Sequence, residues 1–245
     1  MNLYAGTSGY SYAEWKGHFY PEKLPSKNFL NYYATQLPTV EVNNTFYRLP
    51  NPDMVENWSN QVPETFRFSL KASQRITHIK RLKDAGEETS YFIKTSRLLH
   101  ERLGVILFQM PPYFKKDLER LQKFLAHLPG DVRAAFEFRH PSWFEGEDAF
   151  DALRERNCAL CIADTDGDLK VPFVATAKWG YLRLRKEGYT SAALSKWMKK
   201  IKEQKWDTAF VFFKHEDKGA AAKLALQFMK MSEKPAKSPK PRKRA

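Results

Sequence analysis

The sequence predicts an α/β protein that folds as a single (β/α)8 TIM barrel. Eight short runs rich in apolar and β-branched residues recur along the 245 residues, and helical patterns separate most of them. Alternating strands and helices are typical of parallel βαβ units, and eight units of this length close into a barrel. An open doubly wound sheet is the alternative. It normally carries a glycine-rich phosphate loop after its first strand, and GTSGY lacks the G-x-G-x-x-G spacing.

The predicted elements follow one another in barrel order. The eight predicted strands are Leu3–Gly6, Thr39–Val42, Arg67–Leu70, Gly104–Gln109, Arg133–Phe138, Ala159–Ile162, Gly180–Leu184 and Thr208–Phe213. Apolar residues three or four apart predict helices at Phe29–Gln36, Asp53–Gln61, Thr89–Leu103, Asp117–Leu128, Glu147–Arg156, Ser191–Gln204 and Gly219–Met231. The first βα loop is long, and the sixth connection, Asp164–Lys178, has only a weak pattern.

The positive charge is concentrated at the C-terminus. The formal net charge is +13, and six of these charges lie in Lys234–Ala245, which leaves +7 for residues 1–233. We therefore expect two regions, a barrel domain at residues 1–232 and a disordered basic tail at residues 233–245. The tail could add non-specific affinity for nucleic acid or act only as a solubilising segment. The remaining excess favours an anionic partner over a cationic one.

The composition disfavours several classes of protein. No window has the roughly 18 consecutive apolar residues of a membrane helix, and the N-terminus lacks the pattern of a signal peptide, so we expect a cytoplasmic protein without a membrane partner. Cys158 and Cys161 have the C-x-x-C spacing but lie within a predicted strand, so we interpret both as buried small residues. No H-E-x-x-H or second cysteine pair is present, and surplus Arg and Lys disfavour a dication, so no metal is expected. The cofactor and the oligomeric state remain unassigned.

The stretch AFEFRHPSW predicts a site at the end of the fifth strand. Side chains alternate along a strand, so Phe136 and Phe138 share one face, and Glu137 and Arg139 share the other. In a barrel the apolar face packs against the helices, so we expect the charged face to point inward. It lies near the carboxyl end of the strand, where barrel enzymes place their chemistry.

The same alternation applied to the other strands gathers a polar set at the barrel mouth. Besides Glu137 and Arg139, the expected members are Glu41, Asn43, Lys71, Gln109, Asp164, Arg183 and Arg185. Buried charges must pair with each other or with a ligand. Surplus arginine suggests a carboxylate or phosphate ligand, which the guanidinium fork binds in a bidentate manner. An internal ion-pair network without a ligand is the alternative.

Aromatic, histidine and hydroxyl side chains flank this set. Residues expected to contribute to ligand binding from the loops are Ser8, Tyr10, Trp15, Tyr47, His78, His140, Trp143 and His215. Aromatic faces beside basic side chains suit the stacking of bases or sugars. The alternative is that these aromatics form a small core within the loops.

These residues predict an anion-binding barrel and leave its reaction open. We expect Lys71, Arg139 and Arg183 to hold a phosphate-containing anion, and Glu137 or Glu41 to act as general acid or base, so that Glu137, Glu41 and Lys71 are the catalytic candidates. A phosphoester hydrolase fits this pattern. The alternatives are a non-catalytic nucleic-acid-binding module and a glycosidase-like sugar-binding barrel, although four cations at the mouth weigh against a neutral sugar.

Four stretches of the chain resemble a known family. GTSGYSYAEWKGHFYP, EVNNTFYR, RITH and EFRHPSW are similar to the signature stretches of the YecE-like family, catalogued as domain of unknown function 72, and the resemblance runs from about Leu3 to about Met231. It implies a (β/α)8 barrel and no established reaction. The resemblance of such barrels to nucleic-acid-processing barrels of the endonuclease IV type is an analogy at the level of the fold.

Two departures from the family pattern make this rim more basic. The family often has Arg-x-His-Gly after the seventh strand, where this chain has Arg183-Leu184-Arg185 followed by Lys186-Glu187-Gly188. It often has Phe-Asn-Asn after the eighth strand, where this chain has Phe213-Lys214-His215. Any role tied to that histidine or those asparagines in the family does not carry over to this chain.

Overall fold

A computed structural model of the protein describes residues 1–214 and 217–233. Eight parallel strands close into one barrel in sequence order, and the first strand pairs with the last. The strands are β1 (Asn2–Ser8), β2 (Thr39–Val42), β3 (Arg67–Lys71), β4 (Leu103–Gln109), β5 (Ala134–Glu137), β6 (Ala159–Asp164), β7 (Trp179–Leu184) and β8 (Thr208–Phe213). The predicted fold class is therefore confirmed.

Within the described residues, seven α-helices surround the barrel. They are α1 (Phe29–Gln36), α2 (Pro52–Asn60), α3 (Gly86–Ser96), α4 (Leu118–Ala126), α5 (Asp148–Glu155), α6 (Ser191–Lys202) and α7 (Ala220–Glu233). The connection between β6 and β7 contains no helix, which agrees with its weak pattern. No helix within the described ranges combines the length and the apolar composition needed to cross a bilayer.

The helix boundaries follow local capping chemistry. Asn51, Asp117 and Thr190 each accept a hydrogen bond from a backbone N–H in the first turn of α2, α4 and α6, which satisfies a donor that has no partner within the helix. The helix predicted over Thr89–Leu103 ends earlier. A 3₁₀ segment, Arg97–Arg102, replaces its last part, and His100 within it has a φ of 50° that no α-helix accommodates.

Side chains along each strand alternate between an inner layer within the barrel and an outer layer beneath the helices, as the sequence pattern predicted. A small inner layer fills the barrel and includes Leu107, Ala135, Tyr181 and Phe212. The opposite faces of the same strands join the larger core beneath the helices. Phe136 belongs to that outer core, so Glu137, one residue later, points into the barrel above Ala135. The polar set therefore begins where the apolar inner layer ends.

Candidate functional site

Arg183 lies at the centre of the mouth and bridges two carboxylates. Its Nη1 donates to Glu137 Oε2 at 2.6 Å, and its Nη2 donates to Glu41 Oε1 at 2.8 Å. The three side chains come from β7, β5 and β2, and each is at most 4 % exposed. An arginine fork suits this geometry because its donors are planar and point in fixed directions. The bridge ties three strands together across the barrel.

Neutral side chains complete the shell of Glu41. The Tyr181 hydroxyl donates to Glu41 Oε2 at 2.7 Å and lies 2.8 Å from Ser69 Oγ. Asn43 Nδ2 donates to Glu41 Oε1 at 3.1 Å. Both carboxylate oxygens are therefore hydrogen-bonded, as a buried anion requires.

Gln109 completes the shell of Glu137. Its amide Nε2 lies 2.9 Å from both carboxylate oxygens. Gln109 ends β4 and is the neighbour of Glu137 in the strand register. The pairing of β4 with β5 therefore places the Gln109 amide next to the Glu137 carboxylate. Both carboxylate oxygens of Glu137 are hydrogen-bonded, as are those of Glu41.

The network holds all three of its charges in the ionised form. Burial alone would raise the pKa of Glu41, but Arg183 and the Tyr181 hydroxyl outweigh burial and lower the pKa to about 2. Burial is likewise outweighed at Glu137, where Arg183 and Gln109 lower the pKa. The two glutamates in turn raise the pKa of Arg183 far above its usual range, against the effect of burial. Neither glutamate can hold a proton near neutral pH.

Lys71, at the end of β3, has different surroundings. Its Nζ lies 4.0 Å from the centroid of the Phe46 ring, on the loop after β2. Thr45 fixes that loop, because its hydroxyl donates to the Lys71 carbonyl oxygen at 2.7 Å. The stretch EVNNTFYR therefore supplies a carboxylate to the network, a hydroxyl to anchor the loop and an aromatic face for the ammonium group.

Lys71 and Arg185 are partly buried cations without a carboxylate within salt-bridge distance in the described part of the chain. Burial and the nearby positive charge of Arg183 lower the pKa of Lys71 to about 8. Burial and Arg183 also lower the pKa of Arg185. Glu41 and Glu137 attract both cations and oppose these shifts, but burial and Arg183 outweigh them. Lys71 and Arg185 are therefore positive groups at the mouth that no ion pair among the described residues neutralises.

Arg139 and His78 lie at the rim. Arg139 Nε is 3.9 Å from Glu137 Oε1, and the side chain is 46 % exposed. His78 lies in a π-helical turn, Arg75–Ile79, where its ring meets the edge of Phe46 at 4.8 Å between centroids. Burial, followed by the charges of Lys71 and Arg139, lowers the pKa of His78. A neutral imidazole and a solvated guanidinium therefore border the two partly buried cations.

Two of the aromatics expected to bind ligand are buried in the loops instead. Trp143 is fully buried, stacks on Phe138 at 4.2 Å between centroids and donates from Nε1 to the Phe114 carbonyl oxygen at 2.8 Å. Trp15 is also fully buried and meets the edge of Phe19 at 5.5 Å. Both pack in the loop core that the sequence left open as the alternative.

Tyr10, Ser8 and Tyr47 occupy three different environments. Tyr10 is partly buried against Tyr33, at 6.3 Å between centroids. Ser8 is buried at the end of β1 opposite Glu41 and is near enough to lower the pKa of that carboxyl, although its hydroxyl has no partner in hydrogen-bond geometry in the described part. Tyr47 is 75 % exposed on the loop after β2.

Two further described residues of the expected set, Asp164 and His140, do not join the network. Asp164 lies on the helix-facing side of β6, because it alternates with Ile162 of the outer core; it accepts from the Tyr189 hydroxyl at 2.7 Å and pairs with Lys186 at 3.0 Å. His140 caps the turn after β5, where its Nδ1 accepts from the Ser142 N–H. His215 lies outside the described residues.

Sequence reasoning missed Tyr181 as part of the site, and it placed Phe46 only among the aromatics after the second strand, not over Lys71. Tyr181 lies two residues before Arg183 on the same strand face, so alternation alone could have identified it. Phe46 lies on a loop, and its position over Lys71 depends on the hydrogen bond from Thr45, which no spacing rule predicts.

Known proteins resemble this chain in sequence. The chain is 34 % identical over 152 residues to the UPF0759 protein YunF of Bacillus subtilis (strain 168), an alignment that covers 58 % of this chain and 52 % of that protein. It is 35 % identical over 121 residues to the UPF0759 protein YecE of Escherichia coli (strain K12), which covers 49 % of this chain and 44 % of that protein. The chain spans about half the length of the curated relatives it matches.

Solved structures show the same architecture over nearly the whole chain. A DUF72 family protein from Thermotoga maritima matches with a TM-score of 0.83 and 30 % identity, covering 96 % of this chain and 100 % of the other. A DUF72 family protein from Enterococcus faecalis shares the fold with a TM-score of 0.78 at 22 % identity, covering 97 % and 98 % of the two chains. The family described as "Protein of unknown function DUF72" matches residues 4–245, and the chain therefore belongs to this family.

Proposed function

We propose that the mouth of the barrel binds a phosphate-containing anion. Two partly buried cations, Lys71 and Arg185, carry this proposal. Arg183 pairs with both Glu41 and Glu137, and neither Lys71 nor Arg185 has a carboxylate within salt-bridge distance in the described part of the chain. Keeping a charged group partly out of water without a partner is costly. A bound dianion removes that cost by supplying the missing partner.

The charge of the site fits a dianion. Glu41, Glu137 and Arg183 together carry one net negative charge, and Lys71, Arg139 and Arg185 add three positive charges. The six side chains therefore leave two positive charges at the mouth. Phosphate monoesters carry a comparable negative charge near neutral pH, and guanidinium groups bind their oxygens in a bidentate manner.

The alternatives fit the site less well. A glycosidase needs one carboxyl group with a raised pKa to protonate the leaving group, whereas the pKa values of Glu41 and Glu137 are both lowered. Because their pKa values are lowered, Glu41 and Glu137 are also unsuited to act as general acids in phosphoester hydrolysis. We infer that they position Arg183, and that Lys71 is the remaining catalytic candidate of the three.

Nucleic-acid binding is the second candidate function, and Tyr47 favours it. Its ring is exposed, and the next residue in the chain, Arg48, is exposed as well. An exposed aromatic next to a basic side chain can stack on a base while the cations hold backbone phosphates. The same phosphate site would then serve one unit of a longer ligand.

The proposal is tested by the effect of phosphate on thermal stability at constant ionic strength. We expect phosphate to raise the Tm of the wild-type protein, since a ligand that binds only the folded state stabilises it. Arg139→Ala should reduce that rise. Arg133→Ala is the matched control, because both arginines are exposed and flank opposite ends of β5.

Two outcomes would contradict the proposal. The first is the absence of any phosphate-dependent rise at ionic strengths that are matched with chloride. The second is a rise that Arg133→Ala abolishes and Arg139→Ala leaves intact, because the anion would then bind at the other end of the barrel.

A further inference from the structure

We propose that Lys71 is a nucleophile that forms an imine with the carbonyl group of an anionic aldehyde or ketone bound at the mouth. This inference rests on the proposed anion site and adds a reacting group to it. The substrate class is a carbonyl compound that carries a phosphate or carboxylate group.

The amine of Lys71 is held in place without an ion pair to a carboxylate among the described residues. The backbone carbonyl of Lys71 accepts the Thr45 hydroxyl, and the ammonium group rests on the Phe46 ring at 4.0 Å. An aromatic face attracts the protonated amine but does not accept its proton or compete as a covalent partner. Lysines that serve only as counterions are arranged differently: Lys80 donates to Glu88 at 2.8 Å, and Lys116 donates to Asp148 at 3.0 Å.

The surroundings of Lys71 favour the free amine. Partial burial removes water from the ammonium group, and Arg183 repels it, so the pKa falls to about 8. At pH 8 about half of the Lys71 side chains are then unprotonated, compared with about 0.3 % for a lysine with the reference pKa of 10.5. Only the unprotonated amine has the lone pair that attacks a carbonyl carbon. Enzymes activate lysine in this way, by desolvation or by a neighbouring cation.

The bordering arginines supply the second half of the site. Arg185 is partly buried, and Arg139 lies at the rim on the strand end that also carries Glu137. A phosphate or carboxylate held by these guanidinium groups would keep the rest of a small substrate at the mouth, next to the amine. Confinement of this kind raises the effective concentration of the carbonyl group.

The proposed step balances without any additional reagent. The nitrogen lone pair attacks the carbonyl carbon while the C=O π electrons move to oxygen, which takes up a proton as the nitrogen loses one. The resulting carbinolamine then loses water as the C–O bond breaks and the C=N bond forms. The nitrogen keeps a proton and the product is a positively charged iminium group. Protons exchange with solvent water, and nothing is oxidised or reduced.

The experiment uses pyridoxal 5′-phosphate, an aldehyde that carries a phosphate group, as a chemical probe. The full-length protein is incubated with substoichiometric probe at pH 8, the imine is reduced with borohydride, and labelled peptides are identified by mass spectrometry. We expect Lys71 to be labelled at least about tenfold faster than surface lysines. Inorganic phosphate should slow the labelling, and pyridoxal without the phosphate should label Lys71 more slowly.

Two variants make the test specific. Lys71→Arg keeps the charge but removes the nucleophile and should abolish the preferential labelling, whereas Lys94→Arg, which changes an exposed lysine on α3, should leave it intact. The peptide map of the wild-type protein locates the label, so the test stands even if Lys71→Arg folds poorly.

The outcomes separate this inference from the proposed function. Labelling spread evenly over surface lysines, in a protein that phosphate still stabilises, would overturn the role of Lys71 and leave the anion site standing. Preferential labelling of Lys71 that neither phosphate nor removal of the probe's phosphate group affects would support a reactive amine but contradict the anion site, and it would overturn the substrate class inferred here.

Discussion

Arg183 determines how charge is distributed at the mouth. By binding Glu41 and Glu137 through separate nitrogens, it leaves neither carboxylate within salt-bridge distance of Lys71 or Arg185. Burial, together with the positive charge of Arg183, then lowers the pKa of Lys71 and of Arg185. Arg183 thus joins three strands through its two ion pairs, and it leaves the charges of Lys71 and Arg185 to be neutralised by a ligand.

At Glu137 we predict a structural effect. Glu137→Gln leaves Arg183 with one carboxylate and places a neutral amide beside the Gln109 amide. Removing one partner of a buried ion pair costs about 3–5 kcal/mol, and we expect a loss of that size in the free energy of unfolding, measured by chemical denaturation. Glu14→Gln, at an exposed glutamate, is the control and should change stability by less than about 0.5 kcal/mol. Unchanged or increased stability of Glu137→Gln would instead favour the catalytic role that the sequence suggested.

At Lys71 we predict a gain in stability that depends on pH. Lys71→Met removes a partly desolvated charge and should stabilise the folded state by about 1–2 kcal/mol at pH 7, in a buffer free of multivalent anions. The pKa of Lys71 is about 8 in the folded state and 10.5 as the reference value. Between these pH values the unfolded wild-type chain binds more protons, so the wild type becomes more stable as pH rises.

The difference between Lys71→Met and the wild type should therefore shrink between pH 8 and 10.5, followed by denaturation curves at each pH. A difference that stays constant across this window would show that Lys71 is an ordinary solvated lysine.

The loops after the strands divide into supporting and accessible aromatics. Trp143 anchors the loop after β5, because it stacks on Phe138 and donates a hydrogen bond to the Phe114 carbonyl oxygen. The loop after β2 places Phe46 against Lys71 and leaves the next residue, Tyr47, in solvent. Position along the loop therefore decides which aromatics can contact a ligand.

This division predicts opposite results for two aromatic truncations. Trp143→Ala should cost about 3–5 kcal/mol of stability, because it empties a packed site and leaves the Phe114 carbonyl without its donor. Tyr47→Ala should change stability by less than about 0.5 kcal/mol. If bases stack at the mouth, Tyr47→Ala should weaken binding of single-stranded DNA by about 1–3 kcal/mol. Thermal denaturation and a fluorescence titration measure the two quantities, and a destabilising Tyr47→Ala would contradict the division.

Across the whole molecule, the barrel end that carries the network and the basic tail contribute positive charge in different ways. The network is fixed by strand register, whereas Lys234–Ala245 lies outside the described residues. We predict that deleting Lys234–Ala245 weakens binding to any nucleic-acid sequence without changing preference. The slope of log K against log salt concentration should flatten by up to about 5 if all six charges contact phosphates. An unchanged slope would show that the tail does not contact nucleic acid.

The sequence predicted the barrel and the inward placement of Glu41, Glu137 and Arg183, but not the pairing among their charges. Alternation placed Glu41, Glu137 and Arg183 on inward faces, and closure of the barrel brought them together because each lies at the carboxyl end of its strand. Alternation does not say which charges pair, so the choice of Arg183 over Lys71 or Arg185 as the bridge was not predicted. Asp164 was misplaced because it was treated as following the sixth strand, whereas it is the last residue of β6 and alternates with Ile162 onto the helix-facing side. The burial of Trp15 and Trp143 depends on contacts between loops, which have no period in the sequence.

A crystal structure of the protein soaked in phosphate would show whether an anion binds at the carboxyl end of the barrel. The opposite end offers a competing site, a cavity of about 760 Å³ lined by Arg67, Arg97, Arg133 and Arg156. We expect tetrahedral density within hydrogen-bond distance of Lys71 Nζ and the Arg185 guanidinium, with Glu41, Glu137 and Arg183 unmoved. Density confined to the opposite cavity, or a mouth in which Lys71 and Arg185 bind no phosphate, would contradict this expectation.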